Sequence, residues 1–293
     1  MVHNGRIILG GIPLAVLLLG ALGCQPDASV PLVSDDRVEV LVAEEPAGAE
    51  LVLPVLETYA DTLALRVYEA SGGPAAWHSL SYLRFNFTVA HGRERQRTVR
   101  HFWDRRTGDY RVEQRGPGAE SYVVLFNVNT REGQGYWLGD TLEAKSNAEQ
   151  LEDAYRRFIN DTYWLLAPFK LFDPGVNRTY APDSSDEATE ALHLSFGDVG
   201  LTPGDQYWLF IDKGTRRLVR WTYVLESDGP EAPPRSFVWD DYEEHITPGG
   251  PIYFATRKRG VGAPYAIYTD AIQTPTLVPD DMFTDPEPRL DDY

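Results

Sequence analysis

His101, Asp104 and Asp109 fall in one short stretch of the chain, either side of Arg106-Thr107-Gly108. An imidazole beside a carboxylate can pass a proton near neutral pH, so this trio forms an acid–base site if the hairpin brings its members together. Ordinary surface polarity of two strands explains the same residues. Other catalytic patterns are missing. There is no Gly-x-Ser-x-Gly elbow for a serine nucleophile, and the glycines sit in turn dipeptides instead of a phosphate-binding loop. No two histidines stand at metal-ligand spacing. The expectation is therefore no catalytic residue, no metal and no cofactor. Cys24 is the single cysteine, which excludes an internal disulfide.

The position of that thiol is informative. Arg6 precedes an uncharged apolar run over residues 7–22, interrupted by Gly10, Gly11, Pro13 and Gly20. The run is shorter than the roughly 20 apolar residues of a spanning helix. A short positive start, an apolar stretch and small residues before a break describe an export segment. The break, Ala21-Leu22-Gly23-Cys24, resembles the lipobox of bacterial lipoproteins, with Ala where Leu is commoner three positions before the cysteine. The resemblance implies cleavage before Cys24 and acylation of its thiol with palmitate-like chains. Two or more such chains anchor stably, because each buried methylene contributes about 0.8 kcal/mol. Gln25, in place of Asp, implies the outer membrane, facing the periplasm.

Charge narrows the partners. With 44 acidic against 27 basic residues the formal charge is −17, which opposes binding to phosphate backbones and to anionic head groups. Nucleic acid is excluded as a partner, and the membrane is reached through lipid at Cys24. Four regions follow: residues 1–23 as export segment, 24–52 as a lipid-anchored flexible tether, 53–275 as a single β domain, and 276–293 as an acidic tail.

Two helices must help position whatever site exists. Apolar residues recur at three and four over 54–71, and Gly72-Gly73-Pro74 supplies a stop. A second helix is predicted from Asn147, with Gln150 completing a capping box, through Leu151, Ala154, Tyr155, Phe158 and Ile159 and on to Pro168. Most of the remainder alternates at period two and yields about ten strands, over residues 83–89, 99–104, 110–113, 122–128, 192–196, 207–211, 218–225, 237–239, 252–256 and 266–272. Short connections make neighbours antiparallel. The predicted fold is mainly β (α+β): a large curved antiparallel sheet or half-barrel with both helices on or in its concave face.

Seven tryptophans and sixteen tyrosines are a rich supply of rings. Those on strands and on the 160–171 segment are candidates for an apolar pocket: Phe85, Phe87, Trp103, Trp164, Leu165, Phe169, Trp208, Phe210, Trp221, Tyr223 and Trp239. A core filled by its own side chains accounts for the same rings. The 160–171 segment is either buried all round or a movable cover, with Asp161 and Asp173 as helix-end and turn residues.

Three stretches carry a wider resemblance: Gly72-Gly73…Trp77…Leu83-Arg84-Phe85-Asn86-Phe87, Phe102-Trp103-Asp104…Thr107-Gly108-Asp109-Tyr110-Arg111, and Asn160-Asp161-Thr162-Tyr163-Trp164-Leu165-Leu166-Ala167-Pro168-Phe169-Lys170-Leu171 with Asp173-Pro174-Gly175-Val176 after it. Together they resemble a family of Gram-negative lipoproteins built on a domain of unknown function. The layout is more distantly similar to LolA/LolB-like proteins. That similarity implies a half-open antiparallel barrel with helices over its mouth and acyl chains inside. The expected function is non-catalytic binding of a lipid or acyl chain. A hydrolase of a lipid or surface polymer, and a structural lipoprotein with a filled core, are the alternatives.

Overall fold

The computed structural model describes residues 55–116, 120–197, 204–229 and 231–291. The predicted export segment, Cys24 and the tether lie outside these residues.

Among the described residues thirteen strands form a single sheet. They are β1 Tyr82–His91, β2 Glu94–Asp104, β3 Asp109–Arg115, β4 Ser121–Asn127, β5 Gly133–Trp137, β6 Asp140–Thr141, β7 Val176–Tyr180, β8 Thr189–Phe196, β9 Gln206–Asp212, β10 Leu218–Val224, β11 Arg235–Thr247, β12 Gly250–Gly260 and β13 Tyr265–Gln273. Their order is β6-β5-β4-β3-β2-β1-β13-β12-β11-β10-β9-β8-β7, and every pairing is antiparallel. The mainly β, curved antiparallel prediction is correct in class. The count of about ten is corrected to thirteen, and the strands missed are β5, β6 and β7. β6 and β7 are the two edge strands, and β5 lies next to β6. Edge strands are short and polar and carry no apolar alternation, so periodicity does not reveal them.

Topology explains the longest helix. The chain leaves the sheet at edge strand β6 and re-enters at the opposite edge, β7. Between them runs α3, Ala144–Leu166, whose 23 residues span about 34 Å at ~1.5 Å per residue. A crossover of that length must cross a face of the sheet. Phe158 of α3 meets Trp103 of β2, and Trp164 meets Trp221 of β10, with ring centres 5.2 and 4.4 Å apart. The face under α3 is called inner here, and its reverse outer. The predicted start of this helix is corrected: it begins at Ala144, and Asn147 makes no cap. The Asn147 amide instead accepts from the Gly135 N–H at 2.7 Å, tying the helix to β5. A short 3-10 turn, Ala167–Phe169, ends the run at Pro168.

Helix α1, Tyr59–Ala70, buries Leu63, Ala64 and Val67 on one face. Gly72 stops it at φ 132°, where a Cβ would meet the Pro251 carbonyl at 2.8 Å. A second helix, α2 Gly73–Ser79, follows at once and takes Pro74 into its first turn, a position proline tolerates. The prediction of two helices is thus corrected to three α-helices among the described residues. Arg105 closes the end of α2, donating to the Trp77 and Leu80 carbonyls at 2.6 and 2.8 Å.

Asp61 joins α1 to the far edge of the sheet. It completes a capping box with Thr58 and accepts from Arg178 of β7 at 2.9 Å. Burial raises the Asp61 carboxyl's pKa, but bonds from Thr58 and Arg178 outweigh it and hold the group below its ordinary value. The resulting stabilisation is complete above about pH 4, the unfolded carboxyl's pKa, and fades as pH falls through the lower folded value. Asp61→Asn is therefore expected to cost about 1–2 kcal/mol in urea unfolding at pH 7. The gap to wild type should shrink at pH 3, and a gap that does not depend on pH contradicts this role.

The acidic tail is the largest departure from expectation. Residues 276–291 pack against the outer face of β1–β3, so the packed domain continues past residue 275. Met282 and Leu290 are fully buried with Tyr82 and Phe102, and Val278 and Phe283 flank them. Arg111 donates to the carbonyls of Met282 (3.0 Å), Asp285 (2.7 Å) and Glu287, and Arg84 to that of Leu290 (2.7 Å). Glu113 accepts from the backbone N–H groups of Arg289 and Leu290 at 2.8 and 3.0 Å. Arg100 and Arg115 pair with Asp291, and Arg289 with Asp281 and Asp285. The segment's carboxylates thus serve local ion pairs as well as solubility.

Candidate functional site

Strand parity decides which candidates share a face. Phe85 and Phe87 of β1 pair with His101 and Val99 of β2, and Trp103 follows two residues after His101 on the same side. Trp221 and Tyr223 of β10 stand opposite Leu209 and Tyr207 of β9. Trp221 is also paired with Phe237 of β11, which places Trp239 on that face as well. From α3 and the following turn come Trp164, Leu165 and Phe169, all buried. The inner face therefore collects Phe85, Phe87, Trp103, Trp164, Leu165, Phe169, Trp221, Tyr223 and Trp239.

Two candidates are corrected. Trp208 and Phe210 alternate with Tyr207, Leu209 and Ile211, and the latter two are fully buried inside. Trp208 pairs with Thr222 and Phe210 with Arg220, on the outer side. The Arg220 guanidinium covers the Phe210 ring at 3.7 Å, and Trp208 lies beside His193 at 4.8 Å. Aromatic type alone put these rings in the pocket, whereas alternation along β9 takes them out of it.

The inner face is packed ring against ring. Under the middle of α3, Phe158 meets Trp103 and Tyr110 edge-on at 5.2 and 5.0 Å. Further along, Trp164 meets Trp221 at 4.4 Å and Phe237 at 4.9 Å, and Trp221 meets Trp239 at 5.0 Å. Beyond the helix, Phe169 stacks on Trp77 at 4.7 Å and contacts Phe254 at 5.7 Å. The predicted cover, residues 160–171, is buried on nearly every side. Burial also raises the phenol pKa values of Tyr163, Tyr207 and Tyr223, which keeps these hydroxyls neutral.

The trio His101, Asp104 and Asp109 does not assemble. Asp104 lies on the outer side, paired with Arg106, and Asp109 bonds Thr107 and Asn127 at the turn. That turn is tight: Gly108 has φ 83°, and a Cβ there would meet the Asn129 amide at 2.3 Å. His101 faces inward, fully buried, with Nε2 3.1 Å from Asp161 Oδ2 and Nδ1 3.1 Å from the Tyr110 hydroxyl. Its ring stacks on Phe85 at 4.6 Å. Asp161 is therefore not a helix end but the buried midpoint of a polar link between α3 and β2. This pair fixes the helix over the sheet. Sequence spacing gave no sign of it, since the partners are 60 residues apart.

Lys258 was also missed. It lies in Arg257-Lys258-Arg259, which reads as a solvent-facing run, yet it is fully buried on the inner face. Alternation with Ile252, Phe254 and Thr256, all buried, is the signal that places it there. Among the described residues no group of histidine, cysteine or carboxylate side chains is arranged to hold a metal ion. Nor is any helix among them long and apolar enough to cross a membrane.

No protein-family model matches the chain, and no curated protein matches it. Several solved structures align with it at low similarity. A domain described as outer membrane lipoprotein-sorting, from Vibrio parahaemolyticus, aligns at 8% identity and a TM-score of 0.42, over 77% of this chain and 96% of that one. A DUF1329 family protein from Desulfovibrio piger aligns at 13% identity and a TM-score of 0.40, over 77% and 95%. A chain of the Pseudomonas aeruginosa MucA/MucB complex aligns at 10% identity and a TM-score of 0.21, over 75% and 95%. At these values the likeness carries no argument.

Proposed function

We propose that the protein is a lipoprotein of the cell envelope that holds a lipid or acyl chain between α3 and the inner face of its sheet, without catalysis. Acyl chains on Cys24 tether it to the outer membrane on the periplasmic side, and the acidic domain is kept off anionic head groups. The observation that carries the reading is the roofed aromatic face. Six of the apolar candidates lie on one side of an open sheet, and three more, Trp164, Leu165 and Phe169, belong to the helix and turn that lie over that side. Strand pairing does not hold that cover in place. Ring contacts, the His101–Asp161 link and the Asn147–Gly135 bond do. An acyl chain offers the same apolar surface as the rings it would displace. About fifteen methylenes buried at ~0.8 kcal/mol each recover roughly 12 kcal/mol before the entropy of binding is subtracted.

Two measurements test this. Protein starting at residue 25, exported behind a cleavable signal, should release close to one acyl lipid per chain on denaturing extraction and mass spectrometry. Extracts free of acyl species contradict the binding role. Cys24→Ser should move the full chain from the membrane pellet to the soluble fraction. If the variant still sediments with membranes and the wild type carries no acyl mass, the tether is wrong.

A further inference from the structure

Lys258 is out of place electrostatically. Alternation along β12 turns Arg257 and Arg259 outward onto Asp240, at 2.9 and 2.7 Å, and turns Lys258 inward. Its side chain is wholly buried. The ammonium lies 4.7 Å from the centre of the Trp239 ring and donates to the Ala255 carbonyl at 2.6 Å and the Thr269 hydroxyl at 2.5 Å. All three partners are neutral. Asp240 acts on Lys258 only from a distance, being engaged by two arginines on the other face. A buried cation without a counter-charge costs several kcal/mol. Burial accordingly drives the Lys258 pKa well below the ordinary lysine range.

Local structure does not demand an ammonium at this position. The β12–β13 pairing ends at Arg257↔Tyr268, and the Ala255 carbonyl beyond it already accepts from the Thr269 hydroxyl at 2.9 Å. A second shortage lies alongside. The indole N–H groups of Trp221 and Trp239 are buried and make no hydrogen bond among the described residues. The two rings are 5.0 Å apart. A buried donor left without an acceptor is destabilising. One region of the inner face thus gathers an ammonium and two N–H donors in apolar surroundings and is short of acceptors. An anion with two acceptor oxygens and an apolar tail meets both needs.

Resting on the reading of the inner face as an acyl site, we propose that Lys258, with the Trp221 and Trp239 indole N–H groups, receives the carboxylate of a long-chain fatty acid. The ligand is then the free acid anion, since an ester offers the ammonium no counter-charge. On this reading Lys258 carries its charge for the ligand and contributes nothing the apolar core needs.

The full chain in phosphatidylcholine vesicles can be photolabelled with a diazirine-bearing palmitate or with the matching fatty alcohol, and the crosslinked peptides mapped. Palmitate is expected to label peptides of β10–β12 at least fivefold more than the alcohol. Lys258→Met, similar in volume, should erase that preference while still taking the alcohol. Equal labelling by acid and alcohol in the wild type overturns the carboxylate site and leaves the acyl-binding reading intact, as does a preference that survives Lys258→Met. Failure of both probes to label the inner face overturns the two together. Should Lys258→Met not fold, Trp239→Phe, which keeps a ring and removes one donor, is expected to reduce the preference at least twofold. An undiminished preference in that variant counts against the site.

Discussion

Arg111→Met should lower folding stability by about 3–5 kcal/mol, the usual consequence of removing one partner of a buried ion pair. Arg111 is fully buried, and its Nε lies 2.5 Å from Glu113. Its remaining N–H groups hold three carbonyls of the C-terminal segment. Without the guanidinium, Glu113 keeps its two bonds from the backbone of Arg289 and Leu290 but loses its counter-charge. The segment should then detach as a unit and expose Phe102, Met282 and Leu290. Urea unfolding measures the loss, and proteolysis should cut within 276–291 before anywhere in the sheet. A variant as stable as wild type, with a protected C-terminal segment, contradicts the docked arrangement.

Trp164→Ala is expected to be comparably damaging, at about 3–5 kcal/mol. Trp164 is 2% exposed and meets Trp221, Tyr223 and Phe237 edge-on. Such geometry adds roughly 0.5–1.5 kcal/mol per pair to the burial itself. The substitution also distinguishes a binding face from a plain core. A cavity left beneath α3 is space for an acyl chain, and a ligand that binds only the folded state stabilises it by mass action. Saturating palmitate should therefore restore a substantial part of the lost Tm in this variant. Loss of Tm without any rescue by palmitate favours a filled core with no ligand.

How much of this was legible depends on the range of the signal. Alternation such as Leu83-Arg84-Phe85-Asn86-Phe87 marked the central strands, because one face of each is apolar. The turn at Lys213-Gly214 and the glycine stop after α1 were equally local and equally clear. Edge strand β7, Val-Asn-Arg-Thr-Tyr, gave nothing to periodicity, since neither of its faces is fully covered. Arg84 and Arg111 were misleading for the opposite reason. They occupy the outward positions of strands buried on both sides, and their cover is the C-terminal segment, 206 and 171 residues away for the bonds to Leu290 and Met282. Pattern along a strand says which residues share a face but not whether something distant will cover it. The same limit hid Asp161 as the partner of His101. Trp208 and Phe210 are different, because the alternation that excludes them was present in the sequence and was outweighed by their ring type.

The central claim is that an acyl chain reaches the inner face, and the tryptophans there report on it directly. Trp103, Trp221 and Trp239 are buried on the inner face and Trp164 is buried on α3 against them, whereas Trp137 is 46% exposed and Trp208 faces outward. In a variant with Trp137 and Trp208 replaced by Phe, emission should come from the inner-face indoles and from Trp77 beside Phe169. Bromine quenches indole emission only at contact. Saturating dibromostearate should quench more than half of that emission, with stearate leaving it unquenched. Emission that dibromostearate leaves as bright as stearate does would mean that no chain enters beneath the helix, and the binding account would be wrong.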